Sequence, residues 1–249
     1  MKTNKKYSLS ILALFLLIWQ LVAYVINANY ILPTPIQVMQ KLWELRGPLF
    51  LYHMPYTMLT TVLGLLISVV LGLVLAILMD YSKKAENAIY PIVVTTQTIP
   101  ITALAPLFIL WFGYGISSKV VVTVLITFFP MTISMHDGFK NTKREHIELM
   151  KSFGASEATI FRKLKLMSAL PSFFSALKMS VPISIIGAAI GEWLGAQQGL
   201  GYFSRRMLTQ LNGAGVFAPI VLLSVVAIIL VKLVSLLEKR ALGNWRSEM

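Results

Sequence analysis

No cysteine occurs among the 249 residues. That excludes disulfides, thiolate nucleophiles and Cys-based zinc or iron–sulfur sites, and it leaves the redox compartment undetermined. Charge is scarce as well. Asp, Glu, Lys and Arg make up 13% of the chain, against about 25% in a soluble domain. Acids are the scarcer sign, at 10 against 22 Lys and Arg, for a net charge of +12. The three histidines, His53, His136 and His146, are dispersed and show no H-E-x-x-H spacing, so a metal site is not expected. There is no G-x-x-x-x-G-K-[ST] phosphate loop and no G-x-S-x-G elbow, which leaves neither a nucleotide site of that kind nor that type of hydrolase.

What is abundant is apolar surface. Hydrophobic residues are 57% of the chain, more than one core of this size can hide, which excludes an ordinary soluble domain. The basic excess is not interleaved with aromatics, so anionic lipid and membrane topology explain it better than nucleic acid does. Runs long enough to cross a bilayer, about 20 residues each, predict six spans. They are Leu9–Ile26, Thr57–Met79, Pro91–Phe112, Val120–Met135, a fifth within Met179–Ala196, and Val216–Leu237. Pro91, Pro100, Pro106, Pro130 and Pro182 punctuate the middle three. Membrane helices tolerate proline where neighbouring groups satisfy the freed backbone, and Thr95, Thr96, Thr98 and Thr102 offer such hydroxyls in the third span. The basic amino-terminus followed by an apolar run also fits a signal peptide, but the run is long and no small-x-small cleavage site follows it, which favours an uncleaved first span. With both termini in the cytoplasm, 17 of the 22 Lys and Arg fall in inner segments and 5, Lys119 among them, in outer ones. The positive-inside rule selects that orientation. The chain reads as a single all-α transmembrane domain, residues 1–249.

Two connections are long enough to have structure. In the outer segment, about 27–56, Thr34-Pro35 makes an N-cap and N1 pair. Ile36, Met39, Leu42 and Trp43 then recur at helical spacing, predicting an amphipathic helix over Pro35–Leu45 at the outer interface. Such a helix contacts an external partner or simply packs over the bundle. The inner segment, about 137–178, predicts two helices meeting at a sharp elbow. Gly154 suits the left-handed position that ends the first helix, Ser156 the N-cap of the second, and Glu157 its first turn. The elbow either receives a protein partner or lies on lipid as a basic anchor.

Small residues recur every fourth position at Gly64, Ser68, Gly72 and Ala76, and again at Gly187, Gly191 and Gly195. Such faces serve close packing within the bundle or, for the fifth span, a subunit interface. Glu192 lies inside the fifth apolar run. An ionisable group there is a functional candidate, unless it only reaches water at the outer end beside Trp193. Gln97, among the threonines of the third span, is the other polar group expected to face the bundle interior.

The stretch Glu148-Leu149-Met150-Lys151-Ser152-Phe153-Gly154-Ala155-Ser156, reaching Ala169-Leu170-Pro171, resembles the "EAA" loop of permease subunits of bacterial ATP-binding-cassette (ABC) importers. Leu149 and Met150 stand where that pattern has two alanines. The resemblance extends along most of the chain, through Leu32-Pro33-Thr34-Pro35, the run from Thr98-Ile99-Pro100 to Trp111-Phe112-Gly113, and Gly191-Glu192-Trp193-Leu194-Gly195 with Gly199-Leu200-Gly201-Tyr202. These are similar to the nitrate/sulfonate/taurine branch, which includes importers of pyrimidine precursors of thiamine. The stretch Phe173–Lys178 through Gly191-Glu192-Trp193 looks most like the latter.

The resemblance implies a multi-pass protein of the bacterial plasma membrane. It implies that Glu148, Lys151, Ser152, Phe153, Gly154, Ala155 and Ser156 couple to a cytoplasmic ABC ATPase, with ATP bound on that partner and no cofactor in this chain. It also implies an extracytoplasmic binding protein and a second permease subunit, as a homodimer. Gln97, Thr98 and Glu192 are the expected substrate-pathway residues, because a polar group facing acyl chains without a partner is costly. The competing readings are a membrane-embedded lipid-modifying enzyme, which should show clustered acids or histidines at the membrane edge, and a non-transporting anchor, which has little use for Gln97, four threonines and Glu192.

Overall fold

The computed structural model describes residues 4–243. Lys2 and Arg246, which enter the orientation argument, lie outside them. Among the described residues all regular structure is helical. In chain order the helices are α1 (Asn4–Ile26), α2 (Pro35–Glu44), α3 (Met54–Tyr81), α4 (Lys83–Thr96), α5 (Ile101–Phe112), α6 (Ile116–Lys140), α7 (Arg144–Ser152), α8 (Glu157–Ile160), α9 (Leu166–Gly195), α10 (Leu200–Thr209) and α11 (Gly213–Leu242), with π-helical turns at Pro48–His53 and Phe161–Lys165. Five helical stretches are long and apolar enough to cross a membrane: Leu9–Ile26, Pro48–Tyr81, Ile116–Lys140, Glu157–Gly195 and Gly213–Leu242. The sixth expected span is the bent pair α4–α5.

α6 runs through the centre, flanked by α3 and α9. Between apolar helices in lipid there is little hydrophobic drive to associate, so close backbone approach and hydroxyl groups supply the packing. Thr57, Thr60, Ser68, Thr123, Thr127, Thr132, Ser180 and Ser184 are all buried in this layer. Thr60, Thr123 and Thr132 donate back to carbonyls one turn earlier in their own helices, while Ser68 donates across to Val124 O at 3.3 Å. The small face of α3 lies against α6: a Cβ on Gly64 would meet Thr123, and one on Gly72 would meet Met131 at 2.8 Å.

The second small face settles in the same way. A Cβ on Gly187 would come 3.0 Å from Thr123 Cα, one on Gly191 3.1 Å from Lys119 Cα, and one on Gly195 would strike Ile109. This face is filled by α6 and α5 of the same chain, so it is not a free subunit interface.

Two spans differ from their sequence reading. The third is not one helix from Pro91 to Phe112. It breaks at residues 97–100, and α4 and α5 meet at 97°. Pro91 and Pro106 sit inside helices, but Pro100 holds φ −67, ψ 113 as the residue before α5 and disfavours helix at Ile99. Thr95, Thr96 and Thr98 hydroxyls donate to the carbonyls of Pro91, Val93 and Thr95, at 2.7, 2.6 and 2.8 Å, around the break. The fifth span, in contrast, is longer than expected. The second elbow helix continues through the π turn into α9, from Glu157 to Gly195, with Pro171 and Pro182 inside. A proline forfeits one hydrogen bond and strains the turn, at about 3 kcal/mol. Breaking the helix would leave several backbone groups unsatisfied in the membrane instead.

α2 forms where expected. Thr34 and Gln37 make a reciprocal capping box at 3.2 and 2.9 Å, with Pro35 at the first position. The helix buries Val38 and exposes Ile36, Met39 and Trp43. α10 has no counterpart in the sequence reading.

Candidate functional site: the elbow, the bend and a buried acid

At the elbow, α7 ends in a two-bond C-terminal cap: Gly154 N–H donates to Lys151 O at 2.9 Å and Ala155 N–H to Met150 O at 3.0 Å. This is the Schellman arrangement, which requires a left-handed residue at the first position past the cap. Gly154 supplies it with φ +74. Ser156 then caps the next helix, its Oγ accepting from Thr159 N–H at 3.3 Å. Lys151 pairs with Glu157 across the turn at 2.6 Å, Arg144 pairs with Glu148 at 2.8 Å, and the Ser152 hydroxyl donates to Leu149 O.

α7 buries none of its residues. Phe153 is 81% and Leu149 55% exposed. Beyond the turn the structure becomes firm. Ile160 is buried, and the Phe161 ring packs on Phe139 of α6, 5.3 Å between centroids. The elbow is therefore a protruding, apolar-tipped knuckle on the end of the same helical run that crosses the membrane as α9.

Gln97 and Thr98 are exposed at the α4–α5 break. Glu192 is placed elsewhere. It is fully buried, and its Oε2 accepts from Thr57 Oγ1 at 3.0 Å and from Gly201 N–H at 2.8 Å. The three expected pathway residues thus do not converge, and in this conformation Glu192 presents no surface to a pathway.

The residue missed by the sequence reading is Lys119. Counted there as an outer-segment charge, it is fully buried near the start of α6. Its ammonium donates to the carbonyls of Tyr114 and Gly195 and to Ser118 Oγ. A lysine three residues inside an apolar helix was the available signal. The sequence reading also missed α10, for which the available signal was the helical spacing of Leu200, Phe203, Ser204 and Met207, all of them buried.

Residues 68–243 match the family described as "Binding-protein-dependent transport system inner membrane component". The chain is 48% identical over 235 residues to the formylaminopyrimidine transport permease protein ThiX of Halalkalibacterium halodurans, covering 94% of each chain. It is 32% identical over 241 residues to a putative aliphatic sulfonates transport permease protein, SsuC, of Bacillus subtilis, covering 94% of this chain and 86% of that one. The fold is similar to a solved amino acid ABC transporter chain, with TM-score 0.63 and 19% identity, over 78% of this chain and 95% of the other. The apolar spans, the elbow and these likenesses agree: the chain belongs to the inner-membrane permease family of binding-protein-dependent ABC importers.

Proposed function

We propose that this permease imports a small polar heteroaromatic solute of the formylaminopyrimidine type, a precursor of the thiamine pyrimidine. The support is the 48% identity, over nearly the whole of both chains, to a permease named for that solute. The sulfonate permease, at 32%, is a more distant relative. Both termini lie in the cytoplasm in this reading, as the Lys and Arg bias asks, and the whole chain works as one domain.

The observation that carries the mechanism is the elbow. Phe153 and Leu149 are apolar side chains held out on a capped turn, which suits insertion into a cleft of a cytoplasmic ATPase. Glu148, Lys151, Ser152, Gly154, Ala155 and Ser156 shape and cap that turn. ATP is bound and hydrolysed on that partner. Because Glu157–Gly195 is one helical run, displacement of the elbow acts directly on α9. A second copy of the permease completes the pathway, on a face other than the occupied glycine stripe, and an extracytoplasmic binding protein delivers the solute. Gln97 and Thr98 line the pathway at the α4–α5 break. Exposed polar groups within a span are too costly to face acyl chains, and a bent, non-helical segment is tolerated at membrane depth where it borders protein or water.

The test is uptake in cells expressing the permease with its ATPase and binding protein. Radiolabelled formylaminopyrimidine should accumulate and excess unlabelled taurine should not compete. Accumulation of taurine with no uptake of the pyrimidine would overturn the substrate assignment.

A further inference from the structure

Two charged side chains are entirely buried at the end of α9 remote from the elbow, Glu192 and Lys119. They flank the turn 196–199 that joins α9 to α10. On the near side of the turn, Lys119 donates to the carbonyl of Gly195, the last residue of α9. On the far side, Glu192 accepts from the N–H of Gly201, the second residue of α10. A cation thus meets a helix C-terminus and an anion a helix N-terminus, each the sign that the helix dipole favours.

Two more N–H groups at the start of α10 are also bound from outside the helix. Leu200 N–H donates to Thr57 Oγ1 at 2.8 Å and Gly199 N–H to His53 Nδ1 at 3.2 Å. Thr57 Oγ1 in turn donates to Glu192, and Lys119 also reaches Tyr114 O, in the α5–α6 connection, at 2.8 Å. Two sets of contacts therefore hold the turn, one tying the start of α10 to α3 through Thr57 and the other tying the end of α9 to α6 through Lys119. The turn has no slack: Gly199 has φ +107, and a Cβ there would fall on the Glu192 carboxylate.

Lys119 and Glu192 act on one another only through the attraction of their opposite charges across the turn, and a buried charge whose counter-charge is removed is left in a medium that cannot solvate it, whereas removing both relieves the burden. Lys119 and Glu192 should therefore behave as a unit. We propose that they are a pair of positioning residues that clamp the α9–α10 turn to α3 and α6, so that movement imposed on the elbow reaches the opposite face of the membrane as a rigid displacement. The clamp's role in transmission rests on the reading of the elbow as the ATPase contact.

The absence of cysteine makes the test direct. Ala196, in the clamped turn, is 5% exposed, so Ala196→Cys in the assembled importer should react slowly with a water-soluble maleimide. K119M and E192Q, each added to that background, should raise the labelling rate at least tenfold. The double variant K119M/E192Q should fall between the single variants and the parent. T57V keeps both charges and removes only the hydroxyl that bridges Glu192 and the Leu200 N–H, and should raise labelling by a smaller factor. It carries the test should the single variants fail to assemble. In the variants that assemble, ATPase activity should persist while solute imported per ATP falls severalfold. Labelling at the parental rate in T57V and in whichever single variants assemble would overturn the clamp. Raised labelling with an unchanged ratio of uptake to ATP would overturn the transmission role and leave the elbow contact, tested separately by ATPase recovery, untouched.

Discussion

Lys165 holds both carboxylate oxygens of Asp80, at 2.8 and 2.9 Å, across the junction between the end of α3 and the root of the elbow. The pair is largely shielded, with side-chain exposures of 21% and 9%. It ties the π turn Phe161–Lys165, the joint between elbow and span, to the body of the bundle. Breaking it by D80N should cost about 1–3 kcal/mol, between the values for exposed and buried pairs. The charge-swapped double variant D80K/K165D should regain part of the loss. Thermal unfolding of the detergent-solubilised protein measures both. Equal losses in the single and swapped variants would show that the pair adds no specific link.

Gly154 has open space around the position of a Cβ, so substitution there meets a conformational cost and no clash. Its φ of +74 disfavours any residue with a Cβ by about 1–2 kcal/mol, and a branched one more. Asn, which visits this region more readily, should be milder. ATPase recovered on the immobilised permease should fall in the order Gly154, Gly154→Asn, Gly154→Val. An unchanged recovery across the series would separate the turn conformation from docking.

At the α4–α5 break, Gln97→Leu and Thr98→Val should lower uptake severalfold while the assembled complex is recovered in normal amount. Thr98 Oγ1 already donates to Thr95 O at 2.8 Å, so Thr98→Val also loosens the break and should have the smaller specific effect on solute affinity. Radiolabelled uptake normalised to assembled complex decides this. Parental uptake in the double variant would remove the break from the pathway.

The face of α9 that remains open bears on the second subunit. Ile186 is 55% exposed whereas Ala188 is fully buried in the bundle. If α9 approaches a second copy, I186C should form crosslinked dimers in membranes and A188C should not. Crosslinks at Ala188 without any at Ile186 would contradict the internal packing of the glycine stripe.

The helices were legible because long apolar runs have few alternatives in a membrane. The elbow was legible because Gly154 and Ser156 carry local backbone meaning that does not depend on distant contacts. The bend at residues 97–100 was not, since Pro91, Pro106, Pro130, Pro171, Pro182 and Pro219 all remain inside helices and only Pro100 marks a break. Proline alone does not say which outcome wins. Lys119 read as a topology charge because the carbonyl that binds it, on Gly195, is 76 residues away. Glu192 stood out as an acid inside an apolar run, but its neighbours Thr57 and Gly201 come from other helices, so its fully internal position could not be read from the run itself. The glycine stripe of α9 showed that a close partner existed without showing that the partner is α6.

The most direct test joins the elbow to transport. Permease, ATPase and binding protein reconstituted in proteoliposomes should accumulate formylaminopyrimidine only with ATP on the elbow side. Gly154→Val should abolish both ATPase attachment and accumulation, and Gly154→Asn should retain a substantial part of each. Accumulation at the parental rate by the Gly154→Val protein with no ATPase attached would contradict the account.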